Sequence, residues 1–350
     1  MKLFLKIFLS LLVGGLCVWL TLRQMDLSGT ASVLREISLS TVVIYVATMI
    51  PTHLFRAWRW KYLLRPLGVS LSFGRLMLIS TVGFMAILAL PFRLGEFVRP
   101  YFVVRGGQSR MSATLGTVAV ERIVDGLVIS ILFFVTYMLA FRTRGPGYSP
   151  VLAGAAWLSL FGFLALTIFL ACALRWTDKA IRAVLSMLLL QRLAPKIAER
   201  VADKLRALIQ GFRALREPRD MLPFLFQTVL YWFSNGFGMW LLARNMQLAI
   251  PLTGAFAAMA FTGVLISLPN SPGLVGQFHA GVLIALGAYV PAATVSSFGG
   301  AYAVALHGIQ FLWYVSLGFV ALVALGGGGT PSLRTMVVES KRAAEEGAHP

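Results

Sequence analysis

The sequence predicts an all-α polytopic membrane protein. Of the 350 residues, 58% are hydrophobic and only 13% are charged, whereas a soluble domain carries about 25% charged residues. Several apolar runs reach the ~20 residues that a helix needs to cross a ~30 Å hydrocarbon core. Two broken runs and a duplicated motif add to this, and together they predict six full spans plus two re-entrant helical hairpins, eight or more membrane segments in all, arranged as inverted-topology repeats.

The net charge of +18 resides mainly at the ends of the apolar runs. Basic residues that flank spans follow from the positive-inside bias and attract anionic lipid headgroups, so we expect no nucleic-acid partner. The two cysteines lie in apolar runs without the spacing of a disulfide or a metal site. We therefore expect no cofactor and no metal.

The first apolar run, near residues 3–22, resembles a signal peptide because Lys2 and Lys6 precede or open it. It is longer than a signal-peptide core and has no small-x-small cleavage site, so we interpret it as an uncleaved first span with its N-terminus inside. A second run covers 38–55. The connection after it is rich in basic residues and has no acid, which predicts a cytoplasmic position for Arg56, Arg59, Lys61, Arg65 and Arg75.

The remaining apolar runs fall near 75–90, 95–104, 111–141, 150–174, 221–243, 252–268, 273–289 and 293–326. Two pairs of short runs are interrupted by LPFRLGE and LPNSPGLVGQ. Proline and glycine end one helix and start another, and irregular backbone at membrane depth needs protein or a water-filled cavity around it. Each pair is therefore predicted to be a hairpin of half-helices, the first entering from inside and the second from outside. An ordinary bundle with two proline kinks is the alternative.

The stretch 175–220 carries eleven Lys or Arg against five Asp or Glu, with apolar residues recurring at three and four positions. This pattern predicts amphipathic helices on the cytoplasmic surface, broken near Pro195. A partner-binding helix is the alternative. The tail, 330–350, is short and polar, and we expect it to be disordered and cytoplasmic.

The motif P-x-x-x-G-[EQ]-F occurs once in each broken pair, at 91–97 and at 272–278. An Ala-Thr pair begins eighteen residues after the motif glycine in the first copy and seventeen after it in the second. We therefore divide the membrane domain, 1–329, into repeat one, about 38–141, and repeat two, about 221–326. Inverted repeats place a substrate site near the bilayer midplane.

Ionisable residues concentrate in the first repeat, both at the hairpin tip and about three turns into the span 111–141. They are Arg93, Glu96, Arg99, Glu121, Arg122 and Asp125. At that depth each costs ~2.5–3.5 kcal/mol or more, so they must pair or line a wet cavity. One interpretation is a closed structural network, in which Glu96 pairs with Arg122 and Arg93 with Asp125.

The second interpretation is an anion site at the same tip. The half-helix that begins near Gly95 would point its free N–H groups and positive dipole at the tip. With Arg93 and Arg99 beside it, this N-terminus suits a phosphate or a carboxylate. Glu96 argues against a pure anion site, and both interpretations can hold together.

The tip of the second hairpin carries no charge. Asn270 or Ser271 could cap the next helix, with Pro272 at its first position. His279 and His307 lie in the same repeat without acids near them, which argues against a metal site and leaves cavity lining or packing. The second-hairpin residues that we mark are Asn270, Ser271, Pro272, Gly273, Gly276, Gln277, His279 and His307.

Three segments, RAWRWKYLLRPLG, GFMAILALPFRLGEFVRPYFVVRGGQSRMSATLGTVAVERIVDGL and LPNSPGLVGQFHAG, resemble the lysylphosphatidylglycerol synthase transmembrane, or flippase-like, family over roughly residues 5–325. The resemblance implies lipid translocation across a bacterial inner membrane. It carries the family's motif positions to Arg93, Gly95, Glu96, Arg99, Glu121, Arg122, Asp125, Pro272, Gly273 and Gly276. The full synthase has a soluble aminoacyl-transfer domain after its membrane part, and the tail here is too short for one, so we expect only the translocation module.

We therefore expect a lipid translocator and not an enzyme, with a phospholipid or a polyprenyl-linked lipid as its partner and both termini cytoplasmic. A headgroup phosphate would bind at the first tip. An intramembrane polyprenyl-phosphate phosphatase is the second interpretation; it needs a nucleophile beside its arginines, and the nearby pair Ser109-Arg110 falls at the predicted cytoplasmic exit. A non-transporting scaffold is the third, and a homo-oligomer is left open.

Overall fold

A computed structural model describes residues 15–19, 21–23, 25–90, 95–107, 109–144, 149–187, 195–210, 212, 217–267 and 271–326. Every regular element in these ranges is helical, which confirms the predicted all-α class. The tail predicted to be disordered, and two of the marked residues, Arg93 and Asn270, lie outside the described ranges.

The helices in chain order are α1 Leu27–Arg35, α2 Leu39–Trp58, α3 Trp60–Leu64, α4 Phe73–Ala89, α5 Val98–Arg105, α6 Met111–Arg144, α7 Pro150–Arg175, α8 Thr177–Met187, α9 Pro195–Gln210, α10 Pro218–Asn245, α11 Leu252–Ser267, α12 Gln277–Leu286 and α13 Gly300–Leu325. A short helix, Ala292–Thr294, and a π-helical turn, Val295–Gly299, lead into α13.

Among the described residues, four helical stretches are long and apolar enough to cross a bilayer: Leu39–Leu67, Met111–Ala140, Leu152–Arg175 and Ala292–Leu325. Shorter apolar helices, α4, α11 and α12, lie between them in the chain. A helix needs roughly 20 residues to span the hydrocarbon core, so the long stretches suffice and the short ones do not. The chain is a polytopic membrane protein, as predicted.

Side chains and prolines set where several helices begin. The Ser38 hydroxyl accepts a hydrogen bond from the Thr41 N–H at 3.2 Å and caps α2, and Ser72 does the same for α4. Pro150 lies at the start of α7, where its missing N–H costs no hydrogen bond. Pro51 lies inside α2, so the carbonyl of Ala47 lacks its usual helical donor.

The helices pack around two apolar cores. In the larger core, α2 lies along α10, and α11 lies against both α12 and α6. In the smaller core, α3 and α5 pack against the beginning of α6, and α4 packs against α5 and α13. Helix α7 packs mainly against α6, and much of its surface is exposed, including Leu158, Phe161 and Ile168. Such an apolar exposed surface suits contact with lipid chains.

In the basic stretch between α7 and α10, the described residues form two amphipathic helices, and the second begins at Pro195, near the predicted break. Ile181 and Leu185 of α8 pack against Ala198 and Ala202 of α9, and α9 also lies against α6. Much of the apolar surface that we expected to rest on the membrane is therefore covered by protein.

The second hairpin tip differs from the prediction in its cap. The Ser271 hydroxyl donates to the Val275 carbonyl at 2.8 Å, and the Ser271 N–H donates to the Gln277 side chain at 3.2 Å. Neither bond caps α12, whose N-cap is Gly276 at a φ of 86°. Ser271 is instead the N-cap residue of a separate 3₁₀ turn, Pro272–Leu274, with Pro272 at its first position as predicted, but the Ser271 side chain makes no capping hydrogen bond.

Close backbone packing joins α11 to α12 at Gly281. A Cβ atom there would lie 2.8 Å from both Cα and Oγ1 of Thr262, and overpacking of this kind typically costs ~1–3 kcal/mol. We expect Gly281→Ala to lower the thermal unfolding midpoint of the purified protein by roughly 5 °C. Gly308→Ala is the matched control, because a Cβ at Gly308 meets nothing within 4 Å. Equal midpoints for the two variants would contradict the observed packing.

Candidate functional site

A cluster of arginines and carboxylates lies among α2, α5, α6 and the turn before α5. We call it the charge cluster, and its members are Arg56, Arg59, Glu96, Arg99, Glu121, Arg122 and Asp125. Helix α6 supplies three of them, spaced so that both carboxylates face the same neighbours, as predicted. The cluster includes two members of the connection that we expected to be a cytoplasmic loop.

The pair between Arg59 and Asp125 is bidentate. Arg59 Nη1 lies 2.6 Å from Asp125 Oδ1, and Nη2 lies 2.7 Å from Oδ2. Trp232 Nε1 also donates to Oδ1 at 3.0 Å, and Arg59 donates to the Thr228 hydroxyl at 3.2 Å. Arg59 is wholly buried, and parallel N–H···O bonds of this kind fix both partners in one orientation. The pair therefore joins α2, α6 and α10.

Glu121 is the second buried carboxylate. It forms an ion pair with Arg99 and lies 3.7 Å from Nε of Arg59 and 3.7 Å from Nη2 of Arg122. Arg99 is wholly buried, with its guanidinium 4.7 Å from the centre of the Trp60 ring. The predicted headgroup ligand Arg99 is thus enclosed by protein in this structure.

Arg122 lies at the edge of the cluster, with about a fifth of its side chain exposed. Its Nε is 3.9 Å from Glu96, which confirms the predicted pairing of these two residues, and its Nη2 is 3.5 Å from Asp125. The predicted partner of Asp125, Arg93, lies outside the described residues, and Arg59 engages both oxygens of that carboxylate.

Arg56 and Arg59 are the functional candidates that sequence reasoning missed. We expected them in a cytoplasmic loop, but α2 continues to Trp58 and carries them into the bundle. The signal was present in the spacing: Tyr45, Thr48, Thr52, Arg56 and Arg59 recur at three and four positions, which places them on one face of a helix. Counting basic residues near the ends of the apolar runs does not detect such a face.

Arg56 differs from the other arginines in its surroundings. Within the described residues it forms no ion pair, and its guanidinium lies 4.0 Å from the centre of the Phe84 ring. The rings of Tyr231 and Tyr314 lie 5.7 and 5.6 Å from it. Cation–π contacts of this geometry stabilise a buried cation, but they leave its charge uncompensated.

A cavity of about 350 Å³ opens beside Arg56. Arg56, Arg122 and Asp125 line it on one side, and Asn235, His307 and Gln310 supply further polar groups. The rest of its wall is largely apolar and aromatic, including Phe84, Ile129, Phe163, Trp232, Met259 and Phe278. The cavity thus brings together three of the predicted site residues: Arg122 and Asp125 from the first repeat and His307 from the second. Apolar walls with a few polar groups are typical of sites for amphiphilic ligands.

Two other marked residues of the second repeat, Gly273 and His279, contact His307. His307 Nε2 donates to the Gly273 carbonyl at 2.8 Å, and its ring stacks on Phe278 with centres 4.9 Å apart. His279 meets the edge of the His307 ring at 4.8 Å. Within the described part of the chain, no group of three His, Cys, Asp or Glu side chains is placed to hold a metal ion.

Asp125→Asn should destabilise the protein strongly, because it leaves the guanidinium of Arg59 buried beside a neutral amide. Removing one partner of a buried pair typically costs ~3–5 kcal/mol, measured here as the free energy of unfolding in mixed micelles. Asp203→Asn is the matched control: Asp203 pairs with Arg206 at 2.9 Å, but both side chains are more than half exposed. We expect that change to cost less than about 1 kcal/mol, and similar costs for both would refute the proposed anchoring role.

Comparisons with known proteins agree with the geometry. The pattern of the family described as "Lysylphosphatidylglycerol synthase TM region" matches residues 7–318. A UPF0104 membrane protein of Methanocaldococcus jannaschii is 24% identical over 168 residues, which are 47% of this chain and 49% of that protein. The chain thus aligns with about half the length of this curated relative. Because the family match covers most of the sequence, the chain belongs to the lysylphosphatidylglycerol synthase transmembrane-region family.

Proposed function

We propose that this protein translocates an anionic, phosphate-bearing lipid, either a phospholipid or a polyprenyl-linked lipid, across the bacterial inner membrane. The observation that carries the proposal is the cavity beside Arg56, where a guanidinium without an ion pair among the described residues meets a largely apolar wall. A phosphate oxygen would give Arg56 the charged partner that it lacks, since guanidinium and phosphate match in geometry and charge.

In this proposal, some arginines of the charge cluster keep their carboxylate partners throughout, and one can also bind the headgroup. Arg59 and Arg99 are wholly buried and paired with Asp125 and Glu121, so in this proposal they form a frame. Arg122 lies at the cavity and contacts three carboxylates, which lets it add a hydrogen bond to a headgroup without losing all of its partners. The marked tip residues Gly95 and Glu96 then position Arg122 and do not contact the lipid themselves.

The cavity has room for a headgroup and not for a whole lipid, because its volume of about 350 Å³ is near the lower end of ligand sites, which occupy ~300–1,000 Å³. The acyl chains would therefore stay in the bilayer while the headgroup crosses. The exposed apolar surface of α7 lies next to the cavity wall at Phe163, which supports entry from the lipid side.

We further propose the predicted membrane arrangement: six full spans, with α4 and α5 forming a hairpin from the cytoplasmic side and α11 and α12 forming an inverted hairpin from the other. Each copy of the motif precedes a short helix that packs on the short helix before it, which supports this pairing. Both termini would be cytoplasmic. Rocking of the two repeats would expose the cavity to each leaflet in turn.

Transport is proposed rather than catalysis because the cavity lacks an activated nucleophile among its described residues. Its hydroxyl groups belong to Thr262, Ser267 and two tyrosines, and Ser267 donates to the Gly263 carbonyl instead of to a base. A phosphatase needs a nucleophile bonded to a base. Ser109, considered above for that role, does not line the cavity.

Arg56→Gln should slow lipid movement at least about tenfold, the effect of losing ~1.4 kcal/mol of headgroup binding in the rate-limiting step. Purified protein would be placed in liposomes with fluorescent anionic phospholipid, and movement between leaflets would be followed by quenching from outside. Lys61→Gln is the matched control, since it removes an exposed positive charge two residues after Arg59. Unchanged movement in Arg56→Gln would rule out the proposed site, and release of phosphate without movement would favour the phosphatase.

The membrane arrangement predicts which positions a membrane-impermeant thiol reagent can reach. In a chain without Cys17 and Cys172, Ser70→Cys should be labelled only from the cytoplasmic side and Ala293→Cys only from the other. The tip variant Leu90→Cys should be protected from the external reagent. If α4 were a full crossing, Leu90→Cys would be labelled from outside, and the re-entrant hairpin would be wrong.

A further inference from the structure

A buried histidine lies directly behind the cavity wall. His53 of α2 is only 7% exposed, and it does not line the cavity. Its ring stacks against Tyr314 with centres 5.8 Å apart, and it meets the edges of Phe84 and Trp313 at 5.5 and 6.2 Å. Phe84 and Tyr314 are part of the cavity wall, so the imidazole is separated from the cavity by one layer of aromatic rings.

Hydrogen bonding determines which nitrogen of His53 carries the proton. The Thr81 hydroxyl donates its single hydrogen to the Met77 carbonyl at 2.7 Å. It can therefore only accept from His53 Nε2, which lies 2.8 Å away. Neutral His53 thus holds its proton on Nε2. Its Nδ1 is unprotonated, and the lone pair of that nitrogen has no hydrogen-bond partner among the described residues.

The charged neighbour of this lone pair is Arg56. The two residues are three positions apart on α2, so their Cβ atoms lie ~5–6 Å apart, and both side chains contact the rings of Phe84 and Tyr314. The groups that face His53 from α4 and α13 are uncharged at neutral pH: Thr81, Phe84, Trp313 and Tyr314. A proton on His53 would therefore be repelled by Arg56 whenever Arg56 has no anion.

A second void offers a place for water near the same rings. Its volume is about 10 Å³, close to the space that one water needs. Thr48, Thr52 and Ser234 line it, and Asn235, Gln310 and Tyr314 line both it and the large cavity. Tyr314 thus lines this small void and also stacks on His53.

We propose that His53 binds a proton when a phosphate-class anion occupies the cavity beside Arg56, so that lipid movement is coupled to proton movement. The proton comes from hydronium in the bulk solvent, which leaves neutral water; it adds to the Nδ1 lone pair, and no covalent bond of the protein or the lipid breaks. The anion brings one negative charge and the proton one positive charge, so the occupied cavity carries no additional net charge. This inference rests on the proposed function for the identity of the anion.

Thermodynamic linkage makes the inference measurable. If anion binding favours proton binding, then a lower pH must tighten anion binding by the same factor. The probe is dihexanoylphosphatidylglycerol, a water-soluble phosphodiester whose single charge stays constant between pH 5.5 and 7.5, added to the purified full chain in detergent. We expect uptake of up to one proton per bound lipid and an affinity about fivefold or more higher at pH 5.5 than at pH 7.5, within the usual range of coupling.

His53→Gln removes the titrating group but keeps an N–H that can donate to Thr81. We expect its proton uptake to disappear and its affinity to vary less than twofold over the same pH range, with a thermal unfolding midpoint close to that of the unchanged chain. His349→Gln is the control, because it removes a histidine of the polar tail, 330–350, and it should keep both effects. If His53→Gln does not fold, the unchanged chain still tests the inference by proton uptake alone.

The outcomes separate this inference from the proposed function. Binding of the lipid without proton uptake, or full uptake by His53→Gln, would overturn the role of His53 and leave translocation standing. Absence of lipid binding by the unchanged chain would overturn both. Inorganic sulfate distinguishes a free anion from a headgroup: we expect at least tenfold weaker binding, and equal affinity would overturn the assignment to a lipid.

Discussion

The bidentate pair between Arg59 and Asp125 is the interaction on which the rest of the site depends. It joins α2 to α6, and the bonds from Trp232 and to Thr228 extend it to α10. Burying two charges is expensive, and the attraction between them offsets that cost only when the geometry is nearly ideal. The three helices can therefore satisfy this pair in very few relative positions. Such a pair adds little to net stability. Its main effect is to exclude other arrangements of the helices, because those would leave an unpaired charge in a medium of low dielectric.

Given this frame, the arginines of the cluster have different chemical characters although their side chains are identical. Arg59 and Arg99 have carboxylate partners and no exposure, so an added ligand would have to displace an existing ion pair. Arg56 has aromatic faces as neighbours and borders a cavity. The difference arises from the groups that each guanidinium meets. A membrane protein can thus place a cation that borders a cavity only three positions from one that is held in a buried ion pair.

The sequence predicted contacts correctly where the spacing of residues along one helix determines which side chains share a face. The 3–4 spacing on α6 predicted that Glu121 and Asp125 face the same neighbours, and the Glu96 to Arg122 pair was also predicted. The positive-inside rule placed Arg56 and Arg59 in the connection after a span and gave no sign that Arg59 is buried. It could give none, because the acid that pairs with Arg59 lies on another helix, 66 positions later. The position of Ser271 before a helical turn was predicted, but its bonds were not, since its N–H donates to the Gln277 side chain and its hydroxyl to the Val275 carbonyl. Partners distant in sequence, or created by a local turn, are invisible to a pattern read along the chain.

Pro51 makes α2 easier to bend at one position, although the helix is continuous from Leu39 to Trp58. The proline leaves the Ala47 carbonyl without its helical donor, and prolines are the commonest sites of sharp bending in helices. The half that follows Pro51 carries His53 and Arg56 and ends at the anchored Arg59, whereas the half before it begins at the Ser38 cap. Pro51 therefore lies between the cap at Ser38 and the anchored Arg59, at a position where a helix bends most easily. The small void lined by Thr48 and Thr52 lies next to this proline in the chain, so its shape would change with the angle between the two halves of α2.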